Sequence, residues 1–180
     1  MLGIPFVVCR AAADESALPG EAPGAYVARV TRAKLDAVRA LAPSHGAGVL
    51  VADTIVVAPD GAVLGKPGND GEARTMIQRL AGATHLVSTH FMLAGPAPKG
   101  APPEQAQTVT TRVTFRALAR GEIDAYVASG EGRDKAGSYA AQGNAAAFIE
   151  RIEGSYTNVV GLPICEVLVA LRSVGWLAPP

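Results

Sequence analysis

Two cysteines in 180 residues, Cys9 and Cys165, lie too far apart for a metal knuckle or a CxxC redox pair. A reduced cytosolic protein is the simpler reading. Charge of one sign is equally lacking: 16 basic and 16 acidic residues are interspersed and cancel, which removes the electrostatic reason for a long nucleic-acid partner. A small anion held at a local site stays open. No apolar run reaches the roughly 18 residues of a membrane span, and Met1 leads into Leu2-Gly3-Ile4-Pro5-Phe6 without the charged start of a signal peptide. The expectation is a soluble, cytoplasmic protein with no membrane partner. His45, His85 and His90 lack metal-site spacing and read as surface or strand residues. Ser16 and Ser138 have no evident histidine partner for a nucleophilic triad, and there is no Walker A loop, dinucleotide fingerprint or zinc knuckle.

What is present is enough apolar material, 49% of the chain, for a sizeable core in one domain over residues 1–180, with two lobes. One stretch stands out: Leu50-Val51-Ala52-Asp53-Thr54-Ile55-Val56-Val57 sets a carboxylate inside a β-branched run that suits a buried strand. A bare carboxylate there needs hydrogen bonds, a cation or a metal to stay ionised. Pro59-Asp60-Gly61 can fold the chain back so that Lys66, in Leu64-Gly65-Lys66-Pro67, meets Asp53 on one sheet.

Around this hairpin the pattern predicts a strand over 4–9, a loop over 10–20, and a helix from Pro23 whose apolar face is Val27, Val30, Lys34, Val38 and Leu41. Asn69 caps a second helix with Glu72 at the capping-box position. Strands are expected over 84–94 and 108–118, making a long hairpin arm across a Pro/Gly loop at 96–103. A short helix over 122–129, a Gly-rich connection over 130–143, a strand over 146–152 and a last helix opened by Leu162-Pro163 complete the chain.

Several residues have two readings. Asp53 is a general base or metal ligand, or a carboxylate that caps a loop or pairs with Lys66. Lys66 sits in a defined turn and meets a phosphate, or is solvated. Lys34, on the apolar side of its helix, snorkels or meets an anion. Asp14 and Glu15 bind a divalent cation or make a solvated acidic loop, and Gln142 reads the edge of a base or closes the turn before Gly143.

Together these pieces resemble the Maf family of nucleoside triphosphate pyrophosphatases across nearly the whole chain. The resemblance rests on Pro19-Gly20-Glu21 ahead of the helix with Lys34, Ala52-Asp53-Thr54, Leu64-Gly65-Lys66-Pro67 and Gly82-Ala83-Thr84-His85. It continues through Val113-Thr114-Phe115-Arg116, Asp134-Lys135-Ala136-Gly137-Ser138-Tyr139, Gln142-Gly143 and the run from Ile152-Glu153-Gly154-Ser155-Tyr156-Thr157-Asn158 to Gly161-Leu162-Pro163. It implies an α/β fold, a mixed sheet flanked by helices with a central cleft between two lobes, and a homodimer. It also implies cleavage between the α and β phosphates to a monophosphate and pyrophosphate, with magnesium or manganese. Asp53 would activate water, and Lys34 and Lys66 would balance phosphate charge. From their carboxylate chemistry, Asp53 and Glu15 are the candidate metal ligands. Thr54 and Gln142 would set substrate preference, Gln142 resembling the dTTP/UTP branch rather than the branch for methylated GTP.

Two departures stand against the family pattern. The family opens with a strand and a Ser-x-Ser-x-Arg-Arg loop that grips the triphosphate, and this chain starts after it. The expectation is a start recorded short of the true one; the alternative is a catalytically inactive nucleotide-binding paralogue, and a third option is a structural subunit using the hairpin as a dimer arm. His90 stands where a small glycine is common, which is expected to alter the strand lining the cleft.

Overall fold

A β-branched run is stable where both its faces can be covered, and in the computed structural model, which describes residues 3–41, 48–96 and 104–177, such a run lies near the centre of the sheet. The strands are β1 Val49–Val57, β2 Val63–Leu64, β3 Thr84–Ala94, β4 Glu104–Phe115 and β5 Ile149–Glu153, in the order β2-β1-β3-β4-β5. The helices are α1 Pro23–Leu41, α2 Asp70–Leu80, α3 Arg120–Ser129, α4 Tyr156–Val160 and α5 Ile164–Ser173. This is the expected α/β architecture, with one difference. Every strand pair among the described residues is antiparallel, so the sheet is not mixed. Each connection that is short enough to be a hairpin folds back on its neighbour, and the 4–9 segment that was to add a strand adds none.

Residues 3–22 have no strand or helix, and Phe6 and Val7 are 82% and 94% exposed. Propensity alone does not make a strand; its N–H and C=O groups need a ladder partner. The other differences are at boundaries. The hairpin arm begins at Glu104 rather than 108, and the strand expected over 146–152 starts at Ile149, after a 3₁₀ turn over Asn144–Phe148. The short helix α4 was not foreseen; Ser155 caps it by accepting from the Asn158 amide. The 97–103 part of the expected loop and His45 lie outside the described residues.

The predicted turn is present: Ala58 and Ala62 close it at 2.9 Å, Asp60 accepts from the Ala62 amide, and Gly61 takes a φ of 86° that suits glycine. Register then assigns faces, because successive strand residues point to opposite sides. Val51, Asp53, Ile55 and Val57 share one face with Leu86, His90 and Met92; Ala52, Thr54 and Val56 share the other with His85, Val87, Thr89 and Phe91. The first face is covered by α1, whose buried residues are Val27, Val30, Thr31, Leu35 and Val38. Leu41, expected on that face, is exposed, and Leu35 takes the central place beside Lys34.

On the second face α2 and α3 bury Ile77, Leu80, Ile123 and Tyr126 over Val56, Val87, Val113 and Phe115, while α5 covers Phe91 and Leu93. A band of polar side chains crosses the sheet between these clusters: Asp53, Ser88 and His90 on the α1 side, Thr54, Thr89, Thr111 and Asn158 on the other. The apolar core is thereby broken into separate clusters, with the polar band between them. At the start of α2, Asn69 accepts from the Glu72 amide at 2.9 Å while the Glu72 carboxylate accepts from Gly68 N and Asn69 Nδ2. Asn69→Ala is expected to lower stability by about 1 kcal/mol in denaturant unfolding, with m unchanged.

Candidate active site

Strand parity places the Asp53 carboxylate under α1, between Val51 and Ile55, and helical spacing brings Lys34 to the same point. Of its two readings, Lys34 takes the second and meets an anion. Its Nζ donates to Asp53 Oδ1 and lies 2.9 Å from Glu15 Oε1, so one ammonium joins two carboxylates. The segment with Glu15 is held on the helix by Tyr26, whose hydroxyl donates to the Glu15 carbonyl at 2.8 Å, and by Arg29, which donates to the Ser16 carbonyl at 2.8 Å and pairs with Glu21 at 2.7 Å. Asp14 closes its own turn by accepting from the Ser16 amide at 2.8 Å, so the Asp14 and Ser16 backbone is structural here.

Burial is the dominant influence on Asp53: it pushes the carboxyl above the ordinary carboxylate range, and the ion pair with Lys34 only partly offsets it. For Lys34 burial works against the charge, but the bonds from Asp53 and Glu15 outweigh it and hold the ammonium above its ordinary pKa. Such an acid is a proton acceptor nearer to neutrality than a surface aspartate.

Lys66 does not meet Asp53 as the hairpin suggested. It is exposed just beyond β2, and its charge lowers the Asp53 pKa only as a minor, through-space influence. The two-residue length of β2 explains this, since pairing ends at Leu64 and Lys66 leaves the sheet. The turn that carries it is fixed from the other side: the Gly65 carbonyl accepts from Gly137 N at 3.0 Å, and a side chain at Gly137 would meet Val56 at 3.0 Å.

Thr54, next to Asp53 in sequence, points through the opposite face. Its hydroxyl donates to the Gly161 carbonyl at 3.1 Å and lies 2.8 Å from Thr89 Oγ1. With its proton on Gly161 and one lone pair toward Thr89, it has only an acceptor position left for a ligand. Gln142 is exposed at the end of a turn closed by Gly143 N and the Ala140 carbonyl at 3.0 Å. That turn is anchored by Glu131, whose carboxylate accepts from Asn144 N and Nδ2, both at 2.9 Å, and from Ala145 N.

The histidines divide. His90 is the cross-strand neighbour of Asp53, and its Nδ1 shares a hydrogen bond with Thr108 Oγ1 at 2.7 Å. The β1–β3 ladder runs unbroken past it, so the imidazole does not disturb that strand. His85 is a strand residue, in β3, and not a surface one: it is 1% exposed, with Nε2 2.9 Å from Tyr139 Oη. Nothing in sequence spacing linked these two, and the partners of Lys34 and of Thr54 were also missed. Odd and even positions along the strands carried that information only once the register was known.

The chain belongs to the Maf family: the model for Maf-like proteins matches residues 1–174. Among curated relatives it is 47% identical over 175 residues to the dTTP/UTP pyrophosphatase of Geobacter sp. (strain M21), covering 97% of this chain and 88% of that protein. It is 44% identical over 175 residues to the protein of the same name in Geobacter sulfurreducens, with the same coverage, and 46% identical over 178 residues to that of Myxococcus xanthus, covering 99% of this chain and 86% of that protein.

Proposed function

We propose that this chain is a nucleoside triphosphate pyrophosphatase that hydrolyses dTTP and UTP to the monophosphate and pyrophosphate. The observation that carries the reading is the half-buried carboxylate of Asp53 held by Lys34 in the polar band, in a chain whose relatives carry that name. Asp53 takes the proton from the attacking water; its raised pKa suits a general base. Lys34 and Lys66 balance charge on the triphosphate, Lys34 exchanging a carboxylate for a phosphate oxygen as substrate enters. Gln142 offers an amide to the pyrimidine edge, and Thr54 fixes the Gly161 side of the site.

Magnesium or manganese fits the donors: Asp53 and Glu15 supply hard oxygens that already converge on one cation, the Lys34 ammonium. Such ions are commonly held by one or two carboxylates together with substrate phosphates, and among the described residues no group of three or more ligating side chains exists. Bound there, the metal supplies charge stabilisation to the phosphates. A cytoplasmic homodimer belongs to the same reading; no described helix is long and apolar enough to cross a membrane.

The test is pyrophosphate release from dTTP, UTP and a methylated GTP. Turnover of the first two is expected, abolished by EDTA and restored by magnesium or manganese. Tight binding of dTTP without turnover in the presence of metal would instead identify a nucleotide-binding protein without catalysis.

A further inference from the structure

The 134–143 connection contains a piece of strained backbone whose one internal bond, Ser138 N to the Lys135 carbonyl at 3.1 Å, is supplemented by ties from outside it. Gly137 and Ser138 both take left-handed conformations, φ 68° and 61°, and Ser138 is the one described non-glycine residue with positive φ. An L-residue there is strained, and such strain persists only where the surroundings enforce it. The surroundings are specific. Ser138 is 1% exposed, and Gly132 approaches so closely that a Cβ there would stand 1.9 Å from the Ser138 carbonyl oxygen. Gly137 N is tied to Gly65, one residue before Lys66, and Ala140 N donates to Tyr126 Oη at 3.1 Å.

A further tie is made by a side chain that neither the chemistry nor the nucleotide reading uses. His85 rises from β3 into the core and bonds Tyr139 Oη at 2.9 Å, one residue beyond the strained pair. His85, Phe115 and Tyr139 pack edge to face with centroids 4.9 to 5.4 Å apart. Nδ1 of His85 is buried without a partner among the described residues, so the imidazole makes a single directed bond, and that bond goes to this connection.

We propose that His85 is a positioning residue: through Tyr139 it holds the strained Gly137–Ser138 backbone, and with it both the Gln142 turn and the Gly65–Lys66 turn, in the geometry that receives the ligand. The bond joins β3 to the connection whose Gly137 is tied to Gly65, just beyond the edge strand β2, and which runs on into the Gln142 turn. That these turns receive a nucleotide rests on the function proposed above; that His85 holds them does not.

Hydrogen exchange on the nucleotide-free chain tests the holding itself. Tyr139→Phe removes one oxygen and keeps the ring packing, so it should fold; it is expected to speed exchange of the 137–143 amides roughly 10-fold while β1 and β3 keep wild-type protection. His85→Leu should do the same, and His85→Gln, which retains a polar atom toward Tyr139, should restore most of the protection. With dTTP, Tyr139→Phe is expected to raise KM about 10-fold with kcat within about threefold of wild type, since Asp53 lies on the other face of the sheet. Unchanged exchange over 137–143, or a uniform loss across all strands, would overturn the proposal, and an unchanged KM would overturn its link to ligand binding. A wild-type chain that neither turns over nor binds dTTP would sink the nucleotide reading and leave the exchange result to judge His85.

Discussion

Asp53→Asn is expected to lower kcat for dTTP by about 10²–10⁴-fold with KM changed by less than about threefold, the range that loss of a general base produces. The replacement keeps shape and removes the negative charge, and with it the ability to take a proton and to draw a cation. It should not unfold the protein. Burial already disfavours the Asp53 charge, and Lys34 keeps a carboxylate partner in Glu15 at 2.9 Å, so no bare ammonium is left behind. Thermal unfolding of the variant is therefore expected within a few degrees of wild type, which separates a chemical defect from a folding one. The pH profile adds a second check. A base whose pKa is raised is protonated over more of the acid range, so the acid limb of kcat/KM should fall above the ordinary aspartate value of about 3.9. Wild-type turnover by Asp53→Asn would remove Asp53 from the chemistry.

The same residue shows how much the sequence alone conveys. A carboxylate in the run 50–57 is legible as costly, because every neighbour is apolar or β-branched. Its partner is not legible. Lys66 was the nearer lysine through the hairpin, yet β2 ends at Leu64, and the cation that meets Asp53 comes from α1, nineteen residues earlier. Lys34 was conspicuous only as a charge on an apolar helical face. Helical periodicity placed Val27, Val30 and Val38 correctly in the core and misplaced Leu41, the exposed last residue of the helix.

Long-range features were harder still. Period-two alternation identified the strands of the arm, but which face each residue takes follows from the pairing of Thr54 with Thr89 and of Val87 with Thr111. The buried Asn158, with Nδ2 on the Val87 carbonyl at 2.9 Å and on Thr111 at 3.0 Å, stands in a short helix that hydrophobic periodicity cannot signal over five residues. The failed strand at 4–9 makes the complementary point. Ile4, Phe6, Val7 and Val8 carry the right composition, and composition without a partner strand leaves them without strand structure.

His85 carries the other large effect, an acid-induced loss of stability. Burial lowers its pKa from 6.5 to about 4, while in the unfolded chain it takes up a proton near 6.5. Between these values the unfolded state binds more protons, so stability falls as pH falls, with the loss complete at and below about pH 4. The difference amounts to about 3 kcal/mol, a large share of a domain's total of roughly 5–15 kcal/mol. His90 shifts in the same direction, through burial and then Arg32, while Asp53, raised by burial, acts with the opposite sign. Carboxylates held low by arginine, such as Glu104 and Glu122, lose their contribution only further into acid. All of these remain in His85→Gln, so the stability difference between wild type and variant isolates His85. Urea unfolding at pH 7 and pH 4.5 is expected to show wild type losing about 2–3 kcal/mol more than the variant over that interval. The loss should register first in the 137–143 amides, because a charged imidazole against Phe115 and Tyr139 breaks the packing that keeps Ser138 left-handed. A difference that stays flat from pH 7 to 4.5 would mean that His85 is solvated in the folded protein, and the buried His85–Tyr139 bond would fall with it.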